Sequence, residues 1–338
     1  MGNCISLCPD PVYNLLSSAG LIKGRGHHIN EIIIKGVKYS TVSLIEEGAY
    51  AFIYEGFKNA TGECVALKRY TLMEPSQEQQ VIEEIFIYRS LCPHKNIVKL
   101  YDSEIIHRPR THLPELWMCM EYCHGPSLQD YINNRIHIKQ DFSLCEVYEI
   151  MNHILHAIAH LHSQSPPVSH WDIKPGNFIF SSNGVLKLCD FGSSSRSYYL
   201  PRDLNEIEIS ERELESKMTM LYRPPETLDL WLKLKIDTKV DIWAFGVVLY
   251  LLVFKELPFE EAPLDIIDAI PKKYKNSTKP CPEEFRPLIA VVRSKMLVKN
   301  PSDRADIFEV SDAFSKISSL DPLQRPRPGL QSAQRPRF

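Results

Sequence analysis

No run of this 338-residue chain is long and apolar enough to cross a bilayer. The longest, Ile242–Phe254, covers thirteen residues and is interrupted by Gly246; it fits a buried core helix instead. Neither sign of charge dominates. Thirty-nine Lys and Arg against 42 Asp and Glu leave a net −3, so no global basic field draws the chain to nucleic acid, and none is expected as a partner. No repeat of twenty to fifty residues and no long low-complexity tract is present, which excludes a solenoid. Nine cysteines make an odd count along a long chain. No secretory apolar segment precedes them, so the expected setting is reduced and intracellular. What is there is ordinary globular composition, 44% hydrophobic and 24% charged, enough for a sizeable core.

Strand-like alternation covers Tyr39–Glu46, Tyr50–Phe57 and Glu63–Tyr70, with a turn signal at Asn59-Ala60-Thr61-Gly62. Ser76–Leu91 has helical spacing, with Val81, Ile82, Ile85 and Phe86 predicted on one face. Two more strands are predicted at Ile97–Ser103 and Leu116–Glu121. Beyond Gly125-Pro126 the pattern turns helical. Ser143–Gln164 carries Val147, Ile150, Ile154, Ile158 and Leu161 at helical spacing, and Ser143 with Glu146 makes a capping box. Short strands follow at Phe178–Phe180 and Leu186–Cys189. Ser193–Lys217 reads as a polar stretch holding six acidic residues, Asp203, Glu206, Glu208, Glu211, Glu213 and Glu215. Helices resume from Asp241 to about Ile317, and the Pro-, Arg- and Gln-rich tail from Leu320 is expected to be disordered.

Three spaced elements carry the chemistry. Val65-Ala66-Leu67-Lys68 is followed sixteen residues later by Glu84 within the predicted helix. His170-Trp171-Asp172-Ile173-Lys174-Pro175-Gly176-Asn177 follows the long helix, and Asp190-Phe191-Gly192 starts thirteen residues past Asn177. Each string alone arises by chance; their joint order and spacing resemble the protein-kinase set. That resemblance implies an α+β, two-lobed kinase fold: a small antiparallel sheet lobe with one helix, then a larger, mainly helical lobe. The expected kinase domain is 38–318, with a first lobe at 38–122, a hinge about 121–126 and a second lobe at 127–318. Residues 1–37 form an N-terminal segment and 319–338 a tail.

Phosphoryl transfer needs positioning and charge neutralisation more than covalent help. Lys68 is expected to hold the α- and β-phosphates of ATP, fixed by an ion pair with Glu84. Asn177 and Asp190 offer oxygen donors to Mg²⁺, with Mn²⁺ as an alternative. Asp172 would orient the substrate hydroxyl and accept its proton, and Lys174 would meet charge developing on the transferred group. Asp241-Ile242-Trp243-Ala244-Phe245-Gly246 resembles the helix that anchors the kinase catalytic loop. Tyr222-Arg223-Pro224-Pro225-Glu226 stands where kinases have A-P-E, and its Glu226 is expected to pair with Arg304 of the last conserved-type helix. Lys174 in the catalytic loop, with Thr219 five residues before Pro224, resembles Ser/Thr kinases, implying protein substrates bearing Ser or Thr.

The finer resemblance is to the Numb-associated kinase family, nearest in layout to its short myristoylated and palmitoylated member. It rests on Ala66-Leu67-Lys68-Arg69, Glu84-Ile85-Phe86-Ile87, His94-Lys95-Asn96-Ile97-Val98, Lys187-Leu188-Cys189-Asp190 and Met120-Glu121-Tyr122-Cys123. It implies a nucleotide site drawn from Ile45, Glu46, Glu47, Gly48, Ala49, Tyr50, Ala51, Phe52 and Ile53, with Ala66, gatekeeper Met120, Glu121 and hinge residue Cys123. Met1-Gly2-Asn3-Cys4-Ile5-Ser6 fits the acylation pattern, with Gly2 as myristate acceptor. One such chain binds membranes marginally, so palmitoylation of Cys4 and Cys8 would complete the anchor. The expected location is cytoplasmic, on the cytosolic face of Golgi, endosomal or plasma membranes.

Two departures stand out. Only Gly48 survives of the usual three loop glycines, with Glu46 and Ala51 at the outer positions. Trp171 replaces the Arg that binds a phosphate on the activation loop, and Trp cannot form that charge-assisted pair. The departure predicts activity without activation-loop phosphorylation. A pseudokinase scaffold and a tyrosine or dual-specificity kinase stand as alternatives.

Overall fold

The computed structural model describes residues 31–48, 51–73, 75–91, 93–107, 113–259 and 280–320. They divide into two compact units. One takes the chain up to Pro93 together with Val98–His124, and the other takes His94–Ile97 together with the chain from Gly125 onward.

The first unit is an antiparallel six-stranded sheet. Its strands are β1 (Glu31–Ile34), β2 (Val37–Glu47), β3 (Ala51–Lys58), β4 (Cys64–Thr71), β5 (Leu100–His107) and β6 (Pro114–Glu121), in spatial order β1-β2-β3-β4-β6-β5. The strand period of two sorts β4 by face. Val65 and Leu67 enter a core with Ile32, Ile34, Tyr54 and Trp117, while Ala66 and Lys68 alternate with them. Gly56 of β3 lets the strands pack here, because a Cβ on it would fall 2.7 Å from Leu67 Cδ1. Helix α1 (Pro75–Leu91) buries Val81, Glu84, Ile87, Tyr88 and Leu91. The apolar face predicted on it is therefore displaced: Phe86 is 67% exposed and Ile82 43%. Strand β1 also corrects the reading of 1–37 as a separate N-terminal segment, since Ile32 and Ile34 are core residues of the sheet. The Lys35-Gly36 turn joining β1 to β2 has both residues at positive φ, 50° and 78°, which suits a two-residue hairpin.

The second unit is mainly helical. It contains α2 (Leu128–His137), α3 (Leu144–His162), the hairpin of β7 (Phe178–Phe180) and β8 (Leu186–Leu188), α4 (Leu204–Lys217), α5 (Lys239–Phe254), α6 (Arg286–Val291) and α7 (Ile307–Leu320). The Ser143–Glu146 capping box forms as expected, with each side chain bonded to the other's backbone N–H. Burial alone would raise the Glu146 carboxyl, but bonds from Ser143 and Tyr131 and the Arg135 charge hold it below its ordinary value. Helix α5 is buried almost all round and forms the centre of the unit. The strand predicted from Ile97 starts instead at Leu100, because Asn96 and Ile97 are claimed by β8. Asn96 Nδ2 donates to the Leu186 carbonyl at 2.9 Å, and Leu188 N–H donates to the Asn96 carbonyl at 2.8 Å.

Two histidines beside that junction are kept neutral. His94 Nδ1 accepts from Asn96 N–H at 3.2 Å and stacks on His160; His153 Nδ1 accepts from Leu186 N–H at 3.4 Å. Burial first, then His160, His156 and Lys187, pushes His94 down to about 4. Burial, then Lys95 and His156, does the same to His153, also to about 4. The unfolded chain protonates these rings near the ordinary 6.5, so unfolding takes up protons below that pH. Their contribution is whole above pH 6.5 and is lost as pH falls toward 4. Denaturant midpoints measured from pH 7.5 to 4.5 should fall steadily, and His94→Gln/His153→Gln should flatten the fall.

Candidate active site

In the first unit, Lys68 lies within β4, paired across to Ile53 and Met118. Its Nζ is 3.5 Å from Glu84 Oε1 of α1, and both side chains are less than 10% exposed. A third group completes the arrangement. The Tyr70 hydroxyl donates to Glu84 Oε2 at 3.0 Å, and the Lys68 ammonium lies 4.8 Å from the Tyr70 ring centroid. Tyr70 stands two residues past Lys68, on the same face by strand period, and that spacing is the signal by which it could have been found. Ile45, Glu46 and Glu47 end β2, and Ala51, Phe52 and Ile53 open β3, with Gly48 N–H donating to the Ala51 carbonyl at 2.8 Å. Ile45, Glu46 and Glu47 are exposed to solvent. Ala66 pairs with Met120, Glu121 ends β6 and Cys123 follows it. Ala49, Tyr50, Gly2, Cys4 and Cys8 lie outside the described residues.

In the second unit, the loop from His170 to Asn177 is held from α5. Asp241, almost wholly buried, accepts from His170 N–H at 2.8 Å and Trp171 N–H at 2.9 Å. His162 Nε2 lies 2.9 Å from the same carboxylate. These bonds hold Trp171 at a φ of 70°, a left-handed conformation that a bulky residue rarely adopts. Asp172 then becomes the centre of a network. Its Oδ1 accepts from the Thr219 hydroxyl at 2.7 Å and from Thr219 N–H at 3.1 Å. Its Oδ2 lies 2.7 Å from Lys174 Nζ and accepts from Asn177 Nδ2 at 3.0 Å. Lys174 Nζ also donates to the Thr219 hydroxyl at 2.8 Å. The nearby Tyr222 phenol is pushed up to about 12 by burial, then by the negative charge of Asp172.

Asn177 spends its amide hydrogens on Asp172, on the carbonyl at 2.7 Å and on Oδ2, which leaves its Oδ1 as an oxygen donor. Its own carbonyl accepts from Cys189 N–H at 2.9 Å, so it is bonded to the residue before Asp190. Asp190 is exposed and held at a φ of 60°. One carboxylate and one amide oxygen suit a hard cation that completes its shell with water and phosphate oxygens. No cluster of three His, Cys, Asp or Glu suited to a metal occurs among the described residues.

A match to the family model described as protein kinase domain covers residues 39–313. This chain belongs to the protein kinase family. Domains of this family use ATP and a divalent metal. Among similar proteins, one named probable serine/threonine-protein kinase, from Dictyostelium discoideum, is 31% identical over 83% of this chain and 24% of its own length. A second of the same printed kind from that organism is 31% identical over 88% of this chain and 36% of its own. The actin-regulating kinase PRK1 of Saccharomyces cerevisiae is 29% identical over 91% and 37%. The chain therefore spans about a quarter to just over a third of the length of these relatives.

Further kinase elements take their places. Arg304 pairs bidentately with Glu226, at 2.6 and 2.8 Å, with both side chains fully buried. It does so from the turn before α7 and not from a helix, where its Nε and Nη2 also donate to the Val298 carbonyl. Loss of one partner would strand a buried charge at a cost of about 3–5 kcal/mol.

The largest departure from the sequence reading is α4, which occupies much of the stretch read as merely polar. Asp203 caps it by accepting from Glu206 N–H, and Glu206 reaches back to Arg202 N–H. Ile207, Ser210 and Leu214 form its narrow buried stripe. Arg223, also missed, closes its far end by donating to the carbonyls of Leu214 at 2.9 Å and Met218 at 3.1 Å. Trp171 is 2% exposed and packs in one cluster with Ile207, Leu214, Met218, Leu230, Ile236 and Val240. Its ring meets Tyr199 edge-on at 4.9 Å, and Lys217 Nζ lies 5.8 Å from its centroid.

Proposed function

We propose that this chain is a serine/threonine protein kinase whose activation segment is held in place without phosphorylation. The hydroxyl of Thr219 shared between Asp172 and Lys174 supports transfer to Ser or Thr: it occupies the bonds that an incoming alcohol would share. Asp172 takes the proton of that alcohol, Lys174 steadies charge on the transferred phosphoryl, and Lys68, held by Glu84 and Tyr70, takes the nucleotide phosphates. Mg²⁺ is the metal that Asn177 and Asp190 suit best. The residues quoted above support membership of the Numb-associated group. The opening Met1-Gly2-Asn3-Cys4 supports a lipid anchor through Gly2, Cys4 and Cys8 on the cytosolic face of a membrane.

The observation that carries the regulatory part is the buried position of Trp171 against α4. In kinases with Arg at this place, a phosphate supplies the bond that orders the segment. Here apolar burial does the ordering, and burial needs no modification. Protein treated with phosphatase, and shown by mass to carry no phosphate in residues 193–218, should keep most of its activity toward a Ser/Thr peptide. Loss of most activity on that treatment would refute the reading.

A further inference from the structure

The Lys68–Glu84 pair is a long one. Lys68 Nζ stands 3.5 Å from Glu84 Oε1, whereas a charge-assisted bond of this type usually measures about 2.7–2.9 Å. The Tyr70 hydroxyl lies closer to the same carboxylate, sharing its hydrogen between Oε2 at 3.0 Å and Oε1 at 3.3 Å. Glu84 is 5% exposed, and a buried carboxylate is costly unless hydrogen bonds satisfy it. Tyr70 thus gives Glu84 a shorter bond than Lys68 does. The same side chain serves the lysine through its face. The Lys68 ammonium is 4.8 Å from the ring centroid, within reach of a cation–π attraction. Tyrosine is common in strands, and packing would account for a ring at this position. Packing does not account for a hydroxyl turned onto the carboxylate that the lysine also uses.

The sheet holds this ring in advance of any ligand. Strand β4 lies between β3 and β6, and Tyr70 is paired with Ala51 on one side and Leu116 on the other. On the opposite face of β4, Arg69 lies over the Phe52 ring at 4.6 Å and pairs with Glu115 at 3.8 Å, which fixes the strand from behind. Helix α1 comes to it with a charged residue, since Glu84 is buried while Ile82 and Phe86 are exposed. The carboxylate is therefore located by a group mounted on a rigid strand. We propose that Tyr70 is a positioning residue for nucleotide binding: its hydroxyl fixes Glu84, and its ring face steadies the Lys68 ammonium before the triphosphate arrives. The ligand then does not have to order the lysine, which lowers the cost of binding. The effect falls on affinity for ATP and not on the transfer step. It rests on Lys68 as the ligand of the nucleotide phosphates.

Full-length Tyr70→Phe keeps the ring and loses the hydroxyl. Its Kd for Mg-ATP, measured by calorimetry, should rise about tenfold, as for a lost hydrogen bond to a charged group. KM for ATP should rise with it, while kcat at saturating ATP and KM for a Ser/Thr peptide stay within about threefold of the parent. Tyr70→Met fills the space without a ring and should lose about a further threefold with the cation–π contact; it also serves if Tyr70→Phe fails to fold. In a Glu84→Ala background the hydroxyl has no carboxylate to fix, so Tyr70→Phe should there cost less than about twofold. A ring that only packs would cost the same in both backgrounds, and that additive result would overturn the proposal. So would a Tyr70→Phe protein whose Kd for Mg-ATP stays within about twofold of the parent. Lys68→Met keeps the two readings apart. If it binds Mg-ATP as the parent does, the role given to Lys68 fails and the proposal with it. If it loses binding while Tyr70→Phe keeps it, the role of Tyr70 alone fails.

Discussion

Asp172→Asn is expected to lower kcat about a thousandfold while leaving KM for ATP within about threefold, as removal of a positioned proton acceptor does. The two oxygens of Asp172 accept from Thr219, Lys174 and Asn177. An amide keeps one acceptor and turns a donor toward one of those donors, so the network loses bonds as well as its base. Lys68 and Glu84 are in the other unit and keep their pairing, which is why nucleotide affinity should be spared. Steady-state kinetics with a Ser/Thr peptide, alongside a thermal midpoint within a few degrees of the parent, isolates the effect. A drop in kcat of less than tenfold would remove Asp172 from the role of base.

Trp171→Ala is expected to destabilise the second unit by about 3–5 kcal/mol, as for other buried large aromatics, and to release α4 before the rest. Ile207, Leu214 and Met218 share the buried cluster of the indole and would lose the packing it fills. Arg223 would still hold the far end of α4 through the Leu214 and Met218 carbonyls. Amide exchange in Leu204–Lys217 should accordingly rise well above that in α5, and peptide phosphorylation should fall with it. Trp171→Phe keeps an aromatic ring and should recover most of both. If Trp171→Ala exchanged like the parent over Leu204–Lys217, the indole would not be what orders the segment, and the phosphate-independent reading would fail with it.

The site was more legible than the surface that carries it. Lys68, Glu84, Asp172, Asn177 and Asp190 were singled out because each residue type answers one demand of phosphoryl transfer at a known interval, and the structure sets Lys68 against Glu84 and Asn177 against Asp172. Their partners were less visible. Tyr70 is a plain strand tyrosine until Glu84 is placed beside it, and Arg223 is an ordinary cation until α4 ends there. Helix α4 escaped notice because a stripe of Ile207, Ser210 and Leu214 is too narrow, amid six carboxylates, to stand out as a helical period. Its capping pair, Asp203 with Glu206, was present in the sequence as the clearer sign. On α1 the error ran the other way: Ile82 and Phe86 form an apolar pair at helical spacing, yet the helix buries Glu84 and leaves them exposed. Hydrophobicity alone could not foresee that a carboxylate with a lysine and a tyrosine to receive it would claim the inner face.

Asp241 ties the reactive loop to the most deeply enclosed helix of its unit through His170, Trp171 and His162. The loop is thereby positioned from the buried interior of the unit and not from its exposed face. Substitutions on the exposed, acidic face of α4 leave these bonds to the loop untouched. The backbone of the loop is thus fixed independently of what the outer face of the unit carries.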